Sequence, residues 1–515
     1  MKITWQVLLF SLSAWAFAPL PHVLALHSPF DVGNKAQLFV DRVLVREANH
    51  VWFTQHQGEK HPKSPVLKSN QPWEEWRVDG NGCVLYDAQE NLFKMWYAVL
   101  RDDRPSEYFD AVYFTCYATS QDGIHWEKPL VGTLPSKNGK PHNAVLPVET
   151  SSVIKDLDDP DPARRYKLIG FLRDPVGYFT FISPDGLHWK QFSKSPITPG
   201  SDVISGFWDP RRKLYVAFPK QGRSWRGYPR RVFSTITSND FIHWSDPVLS
   251  WKPDLRDDAG SLARIERVRP MLDRPDNPEL MRTEFYSVSV YLAESCTIGF
   301  PWMLTINNNA RYGNHEGPME IQLAVSRDLM NWQRPFRTPV IEHGLLEPRN
   351  EGYHTAVSTA IRVGDEIWLY YGDGNYTHGT PCLYAEKYRE TSESTGRRTK
   401  YDCRIGLVTW KLDRFVSVDG AAEGGSLTTV PIRFTGRRLV VNAATKAGGH
   451  IVVELLDAAG RPLDGFPPSD PFAGDDLRHV VTFRGSQDVS SMAGKPLSLR
   501  FRLCNAELYS FAFRE

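Results

Sequence analysis

Five acidic residues recur where strand-like segments of the chain begin. They are Asp79, Glu149, Asp202, Glu284 and Glu351. Each stands at or near the start of a segment of the kind that forms the innermost strand of a sheet unit, and such strands crowd together when the units surround a common axis. Carboxyl groups held close together have pKa values pushed apart, as a general acid and a base or nucleophile require. The pattern therefore predicts acid–base chemistry at one funnel-shaped mouth.

The alternative is that some of these acids cap strands or form ion pairs with arginines. The arginines considered as partners are Arg77, Arg267, Arg282 and Arg349. We prefer this structural interpretation for Glu149, because residues 150–152 that follow it could face the axis in its place. For Asp79 we prefer the chemical interpretation.

A seven-residue pattern occurs four times and identifies the elements that would position these acids. It begins with Ser, has Asp at its third position and ends in Trp, at residues 120–126, 183–189, 238–244 and 326–332. We interpret it as a tight turn between outer strands, in which Asp and Ser satisfy backbone N–H groups and Trp packs between neighbouring sheets. The His at its sixth position appears in three copies, which favours a scaffold role over catalysis or metal binding.

Each turn belongs to a larger unit of strands, and a fifth unit lacks the turn. Repeated strand units with no long amphipathic helix between them are typical of a β-propeller. After Asp413, short alternating strands split by Gly and Pro indicate a β-sandwich. The predicted fold class is therefore all-β: a five-bladed β-propeller at 26–415 and a C-terminal β-sandwich at 426–515. A strand at 38–41 would complete the last blade or brace the propeller.

The N-terminus is typical of a secretory signal. Lys2 is followed by an apolar run to Ala18 and by small residues ending at Ala25. We expect residues 1–25 to be removed and the protein to be secreted or periplasmic. No later segment approaches about 18 uninterrupted apolar residues, so we expect no membrane association after cleavage.

Charge and cysteine content narrow the class of protein further. The 61 Lys and Arg residues nearly balance the 60 Asp and Glu residues, for a net charge of +1, which disfavours a general nucleic-acid binder. The six cysteines are too few and too scattered for a disulfide scaffold, although Cys382 and Cys403 could close a loop.

The region around Asp79 resembles a known motif. Residues 76–82 read Trp-Arg-Val-Asp-Gly-Asn-Gly, which is similar to the first-blade motif Trp-x-x-Asp-Pro-Asn-Gly of glycoside hydrolase family 32. Families 32, 43 and 68 share a five-bladed propeller, and family 32 adds a C-terminal β-sandwich. The repeated Ser-Asp-Trp turn is also common in these families. The chain thus resembles a divergent relative of the family 32 and family 43 enzymes.

The resemblance implies catalytic roles. Asp79 matches the acid that serves family 32 as nucleophile and family 43 as base. The Glu-Cys acid motif of family 32 is absent, so Glu284 is the preferred general acid and Glu351 its alternative.

Two further positions bear on the resemblance. Gly80 replaces the usual Pro of the motif. Residues 173–175 copy the family 32 Arg-Asp-Pro letters but follow their strand, so we interpret them as a turn. Asp202 is then the better candidate for the acid that stabilises the transition state or modulates pKa.

The implied activity is hydrolysis of an oligo- or polysaccharide by a pair of carboxylates. Candidate substrate-binding residues are Trp76, Arg77, Asn81, Tyr286, Tyr353 and His354. Arg77 and Arg349 could bind a uronate or a sulfate. Two other functions stay open: a non-catalytic carbohydrate-binding propeller, and a polysaccharide lyase using Tyr353, His354 and Arg349. We expect no cofactor and see no metal-ligand spacing, although an axial ion and the oligomeric state are left open.

Overall fold

The computed structural model consists largely of β-strands. It describes residues 28–74, 77–100, 106–111, 113–149, 151–272, 274–310, 314–344, 351–379 and 403–515. The α-helices in these ranges are Leu255–Ala259 and Ser261–Arg267, and the short 3₁₀ helices are Pro72–Glu74, Pro162–Arg164, Arg269–Met271 and Ser490–Met492. None of these helices is long and apolar enough to span a membrane. The all-β prediction is confirmed. The predicted signal, at 1–25, and Cys382 lie outside the described residues.

Three antiparallel sheets of four strands follow one another along the chain, each with its strands in sequence order. Sheet 1 contains Arg77–Asp87, Leu92–Leu100, Tyr113–Ser120 and Ala144–Leu146. Sheet 2 contains Ser151–Lys155, Tyr166–Arg173, Val176–Ser183 and Lys190–Gln191. Sheet 3 contains Ile204–Asp209, Leu214–Trp225, Tyr228–Ser238 and Val248–Trp251.

A ten-stranded sheet then combines two antiparallel units, which we call sheets 4 and 5, through one parallel pair between Met319 and Tyr353. Sheet 4 contains Arg282–Leu292, Thr297–Ile306, Met319–Ile321 and Ala324–Ser326. Sheet 5 contains Tyr353–Ala356, Ile361–Val363, Glu366–Gly374 and Cys403–Lys411, and its outer edge is formed by Glu59–Lys60 and Leu67–Lys68 from the N-terminal region. The chain thus supplies the last strand of sheet 5 before it enters sheet 1.

The second strands of sheets 1, 2 and 4 are buried along almost their whole length. Leu92–Leu100 reads Leu-Phe-Lys-Met-Trp-Tyr-Ala-Val-Leu and is buried along almost its whole length. Such continuous apolar runs are expected where a sheet is covered on both sides, since neither face alternates with solvent. The buried aromatic residues lie between neighbouring sheets: the Trp96 indole, in sheet 1, donates to the Gly186 carbonyl in the turn of sheet 2 at 2.8 Å.

The first strands of the five sheets are linked to one another by hydrogen bonds. The first strands of sheets 1 to 4 bond one another in order. The segment that follows the first strand of sheet 5 bonds the first strands of sheets 4 and 1. In order, the bonds are Cys83 Sγ to Val153 O (3.2 Å), Gly206 N to Ser152 Oγ (3.0 Å), Ser205 Oγ to Val288 O (2.5 Å), Val290 N to Ser358 O (3.0 Å) and Ser358 N to Gly82 O (2.8 Å).

The repeated Ser-Asp-Trp segments are turns with the predicted bonding. In the sheet 2 copy, Asp185 Oδ1 accepts the N–H groups of Leu187 and His188 at 2.9 Å, and Ser183 Oγ accepts that of Gly186 at 2.9 Å. His188 is exposed and its Nδ1 lies 2.7 Å from Asp185 Oδ2. The other three copies repeat the backbone bonds to Ser and Asp. The scaffold interpretation of these turns is confirmed.

The chain ends in an eight-stranded sheet, which we call the terminal sheet. Its longest strands are Arg438–Leu456 and Ser498–Arg514, with Val416–Gly420, Gly425–Thr429 and Asp475–Val480 beside them. The strands Gln37–Leu38, Val45–Asn49 and Val51–Gln55 also belong to it, and Phe30–Gly33 pairs in parallel with Ile432–Phe434. The residues around Leu38 therefore pair with the C-terminal strands, and residues 59–68 complete sheet 5.

Removing the turn carboxylate should destabilise the fold measurably. We expect Asp185→Ala to lower the free energy of unfolding by about 1 kcal/mol, because two backbone N–H groups lose their acceptor. Chemical denaturation of the variant, with His188→Gln as the matched control, measures the effect. A loss in His188→Gln as large as that in Asp185→Ala would contradict the importance of the backbone bonds.

Candidate active site

A small central cavity is lined by all five sheet units. Its volume is about 10 Å³, the room of roughly one water molecule. The lining residues are Asn81, Gly82, Ser151, Ser152, Val203, Ile204, Ser205, Ser287, Val288, Ser289, Trp302, Ala356 and Ser358. Most of them belong to the first strands or the segments beside them, which therefore meet at one place.

Four of the predicted acids lie at matching positions above this meeting place. Asp79, Glu149, Asp202 and Glu284 each precede a residue of the inter-sheet hydrogen bonds by three or four positions. Each acid therefore lies just before the first strand of its sheet or near the beginning of that strand, on the same side of these bonds along the chain. In sheet 5 the residue three positions before Ser358 is Thr355. Glu351 precedes Thr355 by four residues, so it does not occupy the equivalent position.

Asp79 is held by the neighbouring sheet. The Thr355 hydroxyl donates to Asp79 Oδ1 at 2.7 Å, and both residues are buried. The backbones of Gly80 and Gly372 approach so closely here that a Cβ on Gly80 would lie 2.6 Å from Gly372 N. This contact gives a physical reason for Gly80, since the strand of sheet 5 occupies the space that a side chain needs.

Glu351 belongs to a different environment. Its Oε2 lies 2.6 Å from Lys60 Nζ and 3.4 Å from His354 Nε2, and it accepts the Gly344 N–H at 2.5 Å. Burial opposes its ionisation, but His354 and Lys60 outweigh burial and hold its pKa well below the usual range. Because Thr355 faces Asp79 and strand side chains alternate, His354 lies on the opposite face of sheet 5. Glu351, which precedes the strand, contacts His354 there.

A buried trio beside Lys60 has the residue types of a metal site. Ligand atoms of Glu351, His354 and Asp373 lie within 4.8 Å of one another. The Lys60 ammonium already supplies a positive charge at Glu351, so we assign no metal to this group.

Glu284 is paired with two arginines. Its Oε1 accepts from Arg282 Nε at 2.7 Å and its Oε2 from Arg231 Nη1 at 2.5 Å. The Glu284 side chain is buried. Guanidinium groups therefore engage both carboxylate oxygens of Glu284.

Asp202 is paired with a buried lysine. Asp202 adopts a positive φ of 52° and forms an ion pair with Lys220, on the second strand of sheet 3. Burial lowers the pKa of Lys220, although Asp202 opposes that shift. The Lys220 ammonium lies 4.4 Å from the centre of the Tyr286 ring.

Glu149 is the acid whose protonation is most favoured. Its Oε2 lies 2.8 Å from Arg173 Nη2, and its side chain is 12% exposed. Burial raises the pKa of Glu149 to about 7, with Asp202 adding to the rise and Arg173 opposing it. Its arginine partner, Arg173, comes from the copied Arg-Asp-Pro segment and not from the four arginines first considered.

The predicted substrate-binding residues fall into three groups. Asn81 lines the central cavity, and its N–H lies 3.3 Å from Asp79 Oδ1. The Tyr286 ring lies among Lys220, Arg231 and His378. Tyr353 stacks on Tyr376 at 5.1 Å and is buried, and His354 faces away from Asp79. Trp76, the Arg77 side chain and Arg349 lie outside the described residues.

Two larger cavities lie elsewhere in the described structure. One, of about 340 Å³, is lined by Phe30, Arg211 and Arg327 among others. The other, of about 300 Å³, is lined by His56, Trp410 and Tyr509 among others. None of the five acids lines either cavity, so we do not consider these cavities as sites of acid–base chemistry.

Comparisons with known proteins place the chain in no family. No family model matches it, and no curated protein does. A structure titled "Glycoside hydrolase" has a TM-score of 0.40 at 12% identity, covering 72% of this chain and 93% of its own. A β-1,2-mannobiose phosphorylase from Listeria innocua has a TM-score of 0.43 at 14% identity, covering 69% and 97%. An N-acetylgalactosamine deacetylase from F. plautii has a TM-score of 0.38 at 12% identity, covering 75% and 95%. Values this low define no common family.

The close approach of sheets 1 and 5 can be tested by adding one methyl group. A Cβ on Gly372 would lie 2.1 Å from Thr355 Oγ1 and 2.8 Å from Gly80 N. We expect Gly372→Ala to lower the free energy of unfolding by about 1–3 kcal/mol, because the backbones must separate. The matched control is Gly222→Ala, whose Cβ would meet no atom within 4 Å. Equal stability of the two variants in urea denaturation would contradict this packing.

Proposed function

We propose that this protein is an exported glycoside hydrolase, built on a five-bladed β-propeller with a C-terminal β-sandwich. Sheets 1 to 5 would be the blades. The inter-sheet hydrogen bonds support this arrangement, because they run from sheet 1 to sheet 5 and back to sheet 1. The terminal sheet would form the sandwich, and residues 1–25 the export signal.

The observation that carries the proposed activity is the position of four acids at one end of the first strands, in unlike environments. Asp79 accepts a hydrogen bond from Thr355, whereas burial raises the pKa of Glu149 to about 7. Glycosidic cleavage through an oxocarbenium-like transition state needs two carboxyl groups with different roles, one of them a proton donor.

In the proposed mechanism, Asp79 attacks the anomeric carbon or activates a water molecule. Glu149 protonates the leaving glycosidic oxygen. Glu149 thus replaces Glu284 and Glu351 as our general acid. Burial raises the pKa of Glu149 to about 7, whereas His354 and Lys60 lower the pKa of Glu351, and two guanidinium groups bind Glu284. The Asp202–Lys220 pair acts through charge, because Asp202 raises the pKa of Glu149.

Reducing-end release from a panel of plant and algal glycans tests the activity. We expect Asp79→Asn to lower the rate about a thousandfold or more, since the attacking group is lost. The matched control is Asp457→Asn, at a partly exposed aspartate outside sheets 1 to 5. Unchanged activity in Asp79→Asn contradicts the assignment. Unsaturated uronate in the product would indicate a lyase, and binding without turnover a binding module.

The choice of general acid is tested with two leaving groups. A nitrophenyl group departs without protonation, whereas a sugar alcohol needs a proton. We expect Glu149→Gln to lose about a hundredfold or more on an oligosaccharide and to retain activity on the matching nitrophenyl glycoside. Glu284→Gln should affect both substrates alike. If Glu284→Gln lost activity on the oligosaccharide alone and Glu149→Gln affected both substrates alike, Glu284 would be the general acid.

The pH dependence follows from the raised pKa of Glu149. As pH rises through about 7, Glu149 loses the proton that it must donate, so the wild-type rate should fall on the alkaline side with an apparent pKa near 7. The folded pKa lies above the ordinary value of 4.5, so wild-type stability should also fall from pH 4.5 to 7 relative to Glu149→Gln. The pH dependence of the rate checks the first prediction, and chemical denaturation between pH 4.5 and 7 checks the second. A Glu149→Gln variant that kept the alkaline limb would exclude this role.

A further inference from the structure

Two arginines share the carboxylate of Glu284. Arg231 and Arg282 both donate to Glu284, at 2.5 and 2.7 Å. The neighbouring pairs, Asp202 with Lys220 and Glu149 with Arg173, each contain one acid and one base. The group around Glu284 therefore carries one positive charge more than its acids balance, and protonation of Glu149 adds to that excess.

His315 lies between the same two arginines. Its Nε2 is 3.1 Å from Arg282 Nη2, and its Nδ1 is 3.4 Å from Arg231 Nη1. Burial and the charge of Arg231 lower the pKa of His315 to about 4, so the ring is neutral near pH 7.

A neutral imidazole has one acceptor nitrogen and one N–H donor. Since both ring nitrogens of His315 face guanidinium N–H groups, one of the two contacts brings a donor against a donor. An oxygen acceptor placed between the groups would relieve this mismatch and balance the excess charge.

We propose that Arg231, Arg282 and His315 form a subsite for an oxyanion carried by the sugar substrate, the carboxylate of a uronate. This inference rests on the proposed function and adds the class of substrate. Guanidinium groups bind such planar oxyanions through two N–H groups at once.

The surroundings allow such a ligand to enter. The Arg231 side chain is 15% exposed, and His315 is partly exposed. The Tyr286 ring centre lies 5.6 Å from the Arg231 guanidinium carbon. Among the described residues, hydrogen-bond contacts of the Arg231 guanidinium are with Glu284 and His315. Free inorganic phosphate has the same oxyanion chemistry, so it must be tested beside the sugar acids.

Calorimetric titration of the full-length protein with D-glucuronate, D-glucose and inorganic phosphate tests the subsite. We expect D-glucuronate to bind at least about tenfold more tightly than D-glucose and phosphate. Arg231→Gln should weaken glucuronate binding about tenfold or more, and Arg231→Lys should weaken it less. The matched control is Arg461→Gln, which removes an exposed arginine paired with Asp457 outside sheets 1 to 5 and should bind as the wild type does.

Equal binding of glucuronate and glucose overturns the subsite, as does undiminished glucuronate binding by Arg231→Gln. If Arg231→Gln fails to fold, the wild-type comparison and Arg231→Lys decide. Phosphate binding that depends on Arg231 without glucuronate binding would show a free oxyanion and reject the sugar-borne group. Arg231-dependent glucuronate binding without any glycan cleavage would refute the hydrolase while leaving the subsite standing. Asp79-dependent cleavage of neutral glycans alone would support the hydrolase and refute the subsite.

Discussion

The central constraint on this molecule is the direct contact between the first strands of its five sheet units. These strands hydrogen-bond one another across a cavity with room for about one water molecule. Residues three or four positions before those bonds have little freedom to separate, because the bonds hold the first strands together. Acids at those positions must therefore be stabilised individually, by a cation, a hydroxyl donor or a proton.

Each acid is stabilised by a different set of neighbours. Glu284 has two arginines, Asp202 has a buried lysine, and Asp79 accepts from the Thr355 hydroxyl. Glu149 shares its environment with Arg173 and Asp202, and burial there favours the proton. The proposed division of labour among these similar side chains follows from these differences in environment.

The sequence repeats predict much of the scaffold and part of the site. The period of the strands and the Ser-Asp-Trp turns predict the sheets, because each turn is built from residues close together in the chain. Asp79 is recognisable from its local motif. The cations are harder to find: Lys220 and Arg173 lie on second strands and Arg231 on a third, so only the pairing of strands brings them to the acids. The sequence pattern also fails in sheet 5. It predicts Glu351 as the acid at the position equivalent to Asp79, but Thr355 occupies that position in the structure.

A crystal structure of Asp79→Asn with a bound acidic oligosaccharide tests the central claim most directly. The account predicts a glycosidic oxygen within hydrogen-bonding distance of the Glu149 carboxyl, with the anomeric carbon facing the side chain at position 79. A sugar bound in either of the two larger cavities, with nothing between positions 79 and 149, would contradict it.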